Sequence, residues 1–195
     1  MHVGRHIIQE LALKFGEPAV ERWSFPMEAG EFAELKSRLA LGRAHDVTTV
    51  ITRGRQVAVV RKHAYPIDAY RTPSGGVHPE EPFLDGAIRE AKEETGLDIG
   101  IEGYLLYILV TFTHMDESAR WSTHVLLARL LSGHLDPMDK HEIADARWVD
   151  WEELLGKINP SLQGTGLGGL AYRAQLHEKI HKILADRGKI DRADH

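Results

Sequence analysis

Apolar residues in the first 45 positions recur at helical spacing. Ile7, Ile8, Leu11 and Phe15 fall on one stripe and Phe32, Leu35 and Leu39 on a second, with Pro18 and Pro26 between them. The pattern predicts an N-terminal helical extension over 1–45 and a main domain over 46–195. From Asp46 the period changes. Val47, Val50 and Ile51, then Gly54, then Val57 to Val60 read as two strands joined by a turn at Arg53 to Arg55. Tyr65 to Gly76 is rich in Pro, Ser and Gly and reads as loop, and the stretch from Pro82 to Thr95 is helical and stopped by Gly96. The β-branched and aromatic runs Ile101 to Phe112 and Trp121 to Leu131 predict an antiparallel pair. A short strand follows around Trp148, then a helical turn or two from Trp151 to Leu155. A terminal helix runs from Gly168 to about Asp186, with Leu176, Ile180, Ile183 and Leu184 inward.

The chain has 195 residues, 43% hydrophobic and 27% charged, so it is long enough to bury a sizeable core. With 24 Lys and Arg against 29 Asp and Glu the formal charge is −5, which argues against a broad nucleic-acid face and makes a nucleic-acid partner unlikely on this reading. The absence of cysteine excludes a disulfide framework, a thiolate zinc site and a cysteine nucleophile. With no long apolar run and no leader-like start, no membrane partner is expected, and the expected location is cytoplasmic.

The candidate chemistry lies on the helix after the Pro-Ser-Gly-Gly loop. At about 100° per residue, Leu84, Ala87, Ile88, Ala91 and Thr95 form a stripe that can pack on a sheet. Glu90, Glu93 and Glu94 fall together beside it, and like charges at this spacing repel by a few tenths of a kcal/mol per pair, about the cost of a weak surface contact. A hard cation such as Mg²⁺ or Mn²⁺, completed by substrate phosphate oxygens, resolves the conflict. Arg89 can pair with Glu93 or reach Glu81 and so fix the carboxylates.

The segment GGVHPEEPFLDGAIREAKEETGL, Gly75 to Leu97, resembles the box of the Nudix hydrolase family, with Gly75, Glu81, Arg89, Glu90, Ala91, Glu93, Glu94, Gly96 and Leu97 at every fixed position. Ser74 and Glu80 depart from the glycines frequent beside it. The resemblance implies a Nudix-like α/β/α sandwich with a mixed sheet, and a metal-dependent hydrolase cleaving the pyrophosphate bond of a nucleoside diphosphate linked to another moiety. It implies Glu90 and Glu94 as principal ligands of Mg²⁺ or Mn²⁺, Glu93 as an additional ligand, a backbone carbonyl near Gly75 in the metal shell, and Arg89 as orienter. A further acid is expected on a loop before a strand with a Trp, which selects Glu142 as extra ligand or general base, with Asp136, Asp139 and Asp145 as competitors. The small-molecule partner is a nucleoside diphosphate derivative, and a homodimer is possible through the first 45 residues. Neither the Pro expected of ADP-ribose enzymes nor the Tyr of dinucleoside polyphosphate enzymes occurs where the family places it, so specificity is open. The rival reading is a Nudix-fold ligand-sensing or binding module without turnover.

Other features give smaller expectations. Of the basic residues before the box, Arg71 is nearest the loop and is expected to contact substrate phosphate. His114 and His124 lie at strand positions where a substrate could meet them. His2 with His6 and His177 with His181 have a zinc-compatible spacing but lack a third ligand nearby. Gly164 to Gly169 matches a dinucleotide pattern but follows no strand, so it reads as a loop leading into a helix.

Overall fold

The computed structural model describes residues 3–78 and 81–190. His2 and Glu80 lie outside the described residues. Three layers are built around a mixed sheet with strand order β1-β5-β6-β2-β3-β7 and a short β4 paired to β2. The strands are β1 (Ala19–Pro26), β2 (His45–Arg53), β3 (Gln56–Lys62), β4 (Ser74–Gly75), β5 (Asp98–His114), β6 (Glu117–Ser132) and β7 (Ile143–Asp150). One face carries α1 (Arg5–Phe15) and α3 (Phe83–Thr95). The other carries α2 (Ala29–Ala40) and the C-terminal helices, namely α4 (Trp151–Glu153), a π-helical turn (Leu154–Ile158), α5 (Asn159–Gln163) and α6 (Gly168–Asp186).

The segment 1–45 differs from its expected helical form. Residues 19–26 form a strand that runs parallel to β5 in unbroken register, from Ala19 against Leu106 to Pro26 against Thr113. Burial alternates along it, with Ala19, Glu21, Trp23 and Phe25 turned inward and Val20, Arg22 and Ser24 outward. Trp23 and Phe25 alternate with Arg22 and Ser24, a period-two pattern suited to a strand, although Glu21 faces inward and Val20 outward. Strand β1 thus joins the sheet of the main domain along its whole length.

Strand β2 holds the site together. It pairs with β3 at Thr52 and Arg53, but at Val47 and Thr48 it pairs with β4 instead, so β2 and β3 diverge and the loop carrying Ser74 and Gly75 enters the gap. Its side chains alternate between the layers: Val47 and Ile51 pack toward α3, and Val50 packs in the cluster with Leu176 and Ile180 of α6. Helix α3 starts after Pro82 and ends where Gly96 adopts a left-handed conformation, φ 78°, its N–H bonded to Lys92 O. That stop turns the chain directly into β5.

Candidate active site on helix α3

Arg89 organises the outer part of the site. Its Nε and Nη2 donate to Glu81 at 3.1 and 2.6 Å, its Nη1 to Glu90 Oε1 at 3.0 Å and to Glu93 Oε2 at 2.9 Å, and its Nη2 to the Gly76 carbonyl at 3.2 Å. One planar guanidinium thus ties loop and helix together. Bonding to Arg89 holds the Glu81 carboxyl down at about 2. Glu90 moves the other way, raised by burial and by its neighbours Glu94 and Glu93 against the pull of Arg89. Its carboxylate lies directly over Gly75, where a Cβ would overlap it.

The three helix carboxylates do not share one wall. Glu93 is 43% exposed at the side chain and Glu90 20%, whereas Glu94 is 4% exposed and turned into the protein. Burial of Glu94 is matched by Arg71, whose Nη2 donates to Oε1 at 2.8 Å and Nη1 to Oε2 at 3.3 Å, and by the Ser74 N–H, which donates to Oε2 at 2.7 Å. Arg71 also donates to the Thr72 carbonyl and to Ser74 Oγ. Arg71, expected to contact substrate phosphate, lines the cavity but is 1% exposed at the side chain and donates to Glu94. A buried carboxylate with no cation beside it would be far costlier than one paired in this way.

Among the described residues, no three His, Asp or Glu side chains already stand as a metal shell. The chemistry of the donor set nevertheless fits a hard divalent cation. Each carboxylate has about four lone-pair sites. Glu90 Oε2 and Glu93 Oε1 accept nothing from the described side chains, and Glu94 Oε1 accepts a single bond. Glu142 lines the same cavity as Glu90 and is bonded to Lys62. Burial opposes its ionisation, but Lys62 and the nearby Arg71 outweigh burial and hold the carboxyl below its ordinary range. Of the competing acids, Asp136 is paired with Lys140, Asp139 caps the backbone of His141 and Glu142, and Asp145 accepts from the Tyr70 hydroxyl.

Gly75, Glu90, Glu142, Trp121, Phe112 and Tyr172 line one open cavity of about 520 Å³. This volume lies in the range of small-molecule sites. The floor is a closed polar network: buried Asp46 accepts from Trp121 Nε1 at 3.0 Å, from Thr123 Oγ1, and from Arg173 Nη2 at 2.7 Å. Burial raises the Asp46 carboxyl, but Arg173 and the two hydrogen bonds dominate and leave it lowered. Helix α2 supplies another wall through Leu35 and Arg38, and Glu31 accepts from the Gly168 and Gly169 N–H groups at 3.0 and 2.9 Å. The Gly164 to Gly169 segment is thus the loop leading into α6, and the anion at that helix N-terminus is a side chain of the protein.

The histidines fall outside this site. His124 is fully buried, 2.7 Å from the Tyr104 hydroxyl and stacked on Tyr107, and so cannot meet a substrate. His114 Nδ1 stands 2.9 Å from the Met27 carbonyl. His177 accepts from the Thr72 N–H at 3.2 Å through Nε2 and faces Asn159 Oδ1 at 2.8 Å through Nδ1, so neither nitrogen is left for zinc. The sequence reading missed Asp46, Trp121, Tyr172, Arg173 and Arg43 as cavity residues. Nothing local marks them, because they converge only when β2, β6 and α6 are assembled.

A family model described as NUDIX domain matches residues 42–165. Nudix hydrolase 2 of Arabidopsis thaliana is 28% identical over 111 residues, 55% of this chain but only 39% of the plant protein's length. The RNA pyrophosphohydrolase of Pseudomonas putida strain F1 is 27% identical over 135 residues, 62% of this chain and 78% of that protein. Among solved structures, a NUDIX hydrolase from Nitrosomonas europaea superposes with a TM-score of 0.53 at 19% identity, covering 72% of this chain and 89% of that one, a likeness of fold.

Proposed function

This chain belongs to the NUDIX family of hydrolases, and on that premise we propose that it uses Mg²⁺ or Mn²⁺ to cleave the pyrophosphate bond of a nucleoside diphosphate joined to another moiety. The observation that carries the proposal is the juxtaposition of Glu90 over Gly75, tied by Arg89 to Glu81 and Glu93, in a cavity that Glu142 also lines. Glu90 and Glu93 would hold the cation with their remaining oxygens, and Glu94 would contribute its remaining lone pair while Arg71 balances its charge. The bound metal supplies charge neutralisation at the pyrophosphate and lowers the pKa of water. Arg89 keeps the carboxylates in one orientation, so the cost of arranging them is met before substrate arrives. Glu142, ionised at neutral pH beside Lys62, accepts the proton from the attacking water. The water oxygen bonds to phosphorus, the bridging P–O bond breaks, and the departing phosphate takes up a proton. The aromatic interior at Trp121, Phe112 and Tyr172 suits the nucleoside or the group attached to it.

The experiment is phosphate release, with and without added phosphatase, from nucleotide sugars, dinucleoside polyphosphates, ADP-ribose, nucleoside triphosphates and a 5′-triphosphorylated RNA, each with Mg²⁺ or Mn²⁺. The RNA is included because of the Pseudomonas relative. Glu90→Gln is the matched variant: it keeps a hydrogen-bonding group for Arg89 while removing a metal-binding charge. Glu94→Gln is a poorer choice, because it also strips buried Arg71 of its counter-charge. Turnover of one class that Glu90→Gln lowers by a hundredfold or more supports the proposal. Silence across the panel, with ligand-induced thermal shifts that survive the variant, replaces it with the sensing module.

A further inference from the structure

Five cationic side chains border the cavity, and their charges are not equally available. Arg38 is bonded to Glu34, Lys62 to Glu142, Arg71 to Glu94 and Arg173 to Asp46. Arg43, the fifth, has no ion pair among the described residues. Its Nε–H reaches the His45 carbonyl only at 3.5 Å, the outer limit of a hydrogen bond, and its guanidinium carbon stands 6.0 Å from the Trp121 ring centre. The remaining four N–H donors of its fork have no acceptor among the described side chains. Burial draws its pKa below the ordinary arginine value, the direction expected of a cation partly removed from water without full compensation.

Its position is as informative as its charge. Arg43 packs against Gly76, where a Cβ would overlap the guanidinium, just as one on Gly75 would overlap the Glu90 carboxylate. Two consecutive glycines therefore make room for an acid of the hydrolytic helix and for a cation of the cavity wall, about 3.8 Å apart along the chain. The backbone holds Arg43 there: its N–H donates to Arg38 O at 3.0 Å, at the end of α2, and α2 is anchored by buried Phe32 and Leu35 and by the Glu31 bonds to α6.

We propose that Arg43 binds one phosphoryl group of the substrate's pyrophosphate through its uncommitted guanidinium fork. The proposal deepens the hydrolase reading above and rests on it for the identity of the substrate. Arg43 therefore takes the place that the sequence suggested for Arg71. Asp46, Glu90 and Glu142 attract Arg43 without bonding to it, and a phosphate, which matches a planar guanidinium in bidentate fashion, supplies the directly bonded counter-charge. Arg43 and Glu90 stand over adjacent glycines, so a phosphoryl group at Arg43 leaves its neighbour beside the Glu90 carboxylate, and a linked diphosphate engages both positions where a single phosphate engages one. The N-terminal segment thereby acquires a role: the turn between α2 and β2 carries the residue that reads the second phosphate.

The test is calorimetric titration of the full chain with inorganic pyrophosphate and, separately, orthophosphate, both with excess Mg²⁺, for wild type, Arg43→Gln and Arg43→Lys. Wild type is expected to bind pyrophosphate more tightly than orthophosphate. Arg43→Gln should weaken pyrophosphate binding by about ten- to a hundredfold, the range for a hydrogen bond to a charged group, and bring it close to orthophosphate. Arg43→Lys should recover part of the loss, as a point charge without the fork. The melting temperature of Arg43→Gln should equal or exceed that of wild type, because the partly buried cation removed has no directly bonded counter-charge among the described residues, whereas loss of a merely structural arginine would lower it. Equal pyrophosphate affinity in wild type and Arg43→Gln, or no pyrophosphate binding by wild type, overturns the assignment. Because binding is read without turnover, a chain that binds through Arg43 yet hydrolyses nothing refutes the hydrolase reading alone. A chain that hydrolyses with unchanged KM in Arg43→Gln refutes the Arg43 assignment alone.

Discussion

Replacing Arg71 by Met separates a structural role from a substrate-binding one. The side chain is 1% exposed and gives two hydrogen bonds to Glu94, one to the Thr72 carbonyl and one to Ser74 Oγ. Methionine fills part of the volume but leaves the Glu94 carboxylate, 4% exposed, with only the Ser74 N–H. Removing one partner of a buried pair costs about 3–5 kcal/mol, because the survivor keeps its desolvation without its attraction. For a chain of this length 1 kcal/mol moves the melting temperature by roughly 2–4 °C, so Arg71→Met should melt about 6–20 °C lower. Glu94→Gln should cost a similar amount by orphaning Arg71. In the double variant no uncompensated charge remains, so its loss should fall short of the sum of the two by about 2 kcal/mol or more. Urea denaturation followed by circular dichroism of the four proteins measures the cycle. Arg71→Met within about 1 kcal/mol of wild type, combined with weakened substrate binding, would refute the structural account and restore Arg71 to the substrate.

Acid should destabilise the fold through two imidazoles, since burial lowers His124 and His177 to about 3. A histidine whose folded pKa lies below its unfolded value of about 6.5 takes up a proton on unfolding, so stability is lost as pH falls from about 6.5 towards 3. Between pH 6.5 and 4.5 each contributes about 2 kcal/mol of loss, measurable as falling urea midpoints; imidazole NMR signals titrating near 6.5 in the folded protein would contradict this. Gly75→Ala should fold but displace the Glu90 carboxylate and cut turnover on the order of a hundredfold, read by steady-state kinetics on whichever substrate the panel identifies; unchanged kcat would detach Glu90 from the reaction. Glu31→Ala removes the acceptor for the Gly168, Gly169 and Glu28 N–H groups and should lower stability by about 1–3 kcal/mol in thermal unfolding, with no loss if water replaces the carboxylate fully.

Much of this protein is written in local patterns. The box helix, its glycine stop, the long hairpin and the terminal helix each depend on periodicity and capping within one stretch of chain, and each formed close to the expected bounds. The four-residue spacing of Arg89 and Glu93 also made their pairing legible, because a helix sets such residues on one side, whereas the bonds to Glu81 depend on the loop before the helix. Strand β1 carried a period-two signal between Pro18 and Pro26, but a parallel edge strand is defined by its partner, and β5 lies eighty residues away.

Only the tertiary structure decided how the charges were spent. A helical projection gives the angle between Glu90, Glu93 and Glu94 but not what lies beneath each; the entry of the Ser74 loop into the gap between β2 and β3 is what buries Glu94 against Arg71. The same assembly brings Asp46, Trp121 and Arg173 to one floor from three distant elements and leaves Arg43 as the uncommitted cation of the wall. Sequence fixes the charge a residue carries, while desolvation and pairing depend on neighbours that only folding supplies.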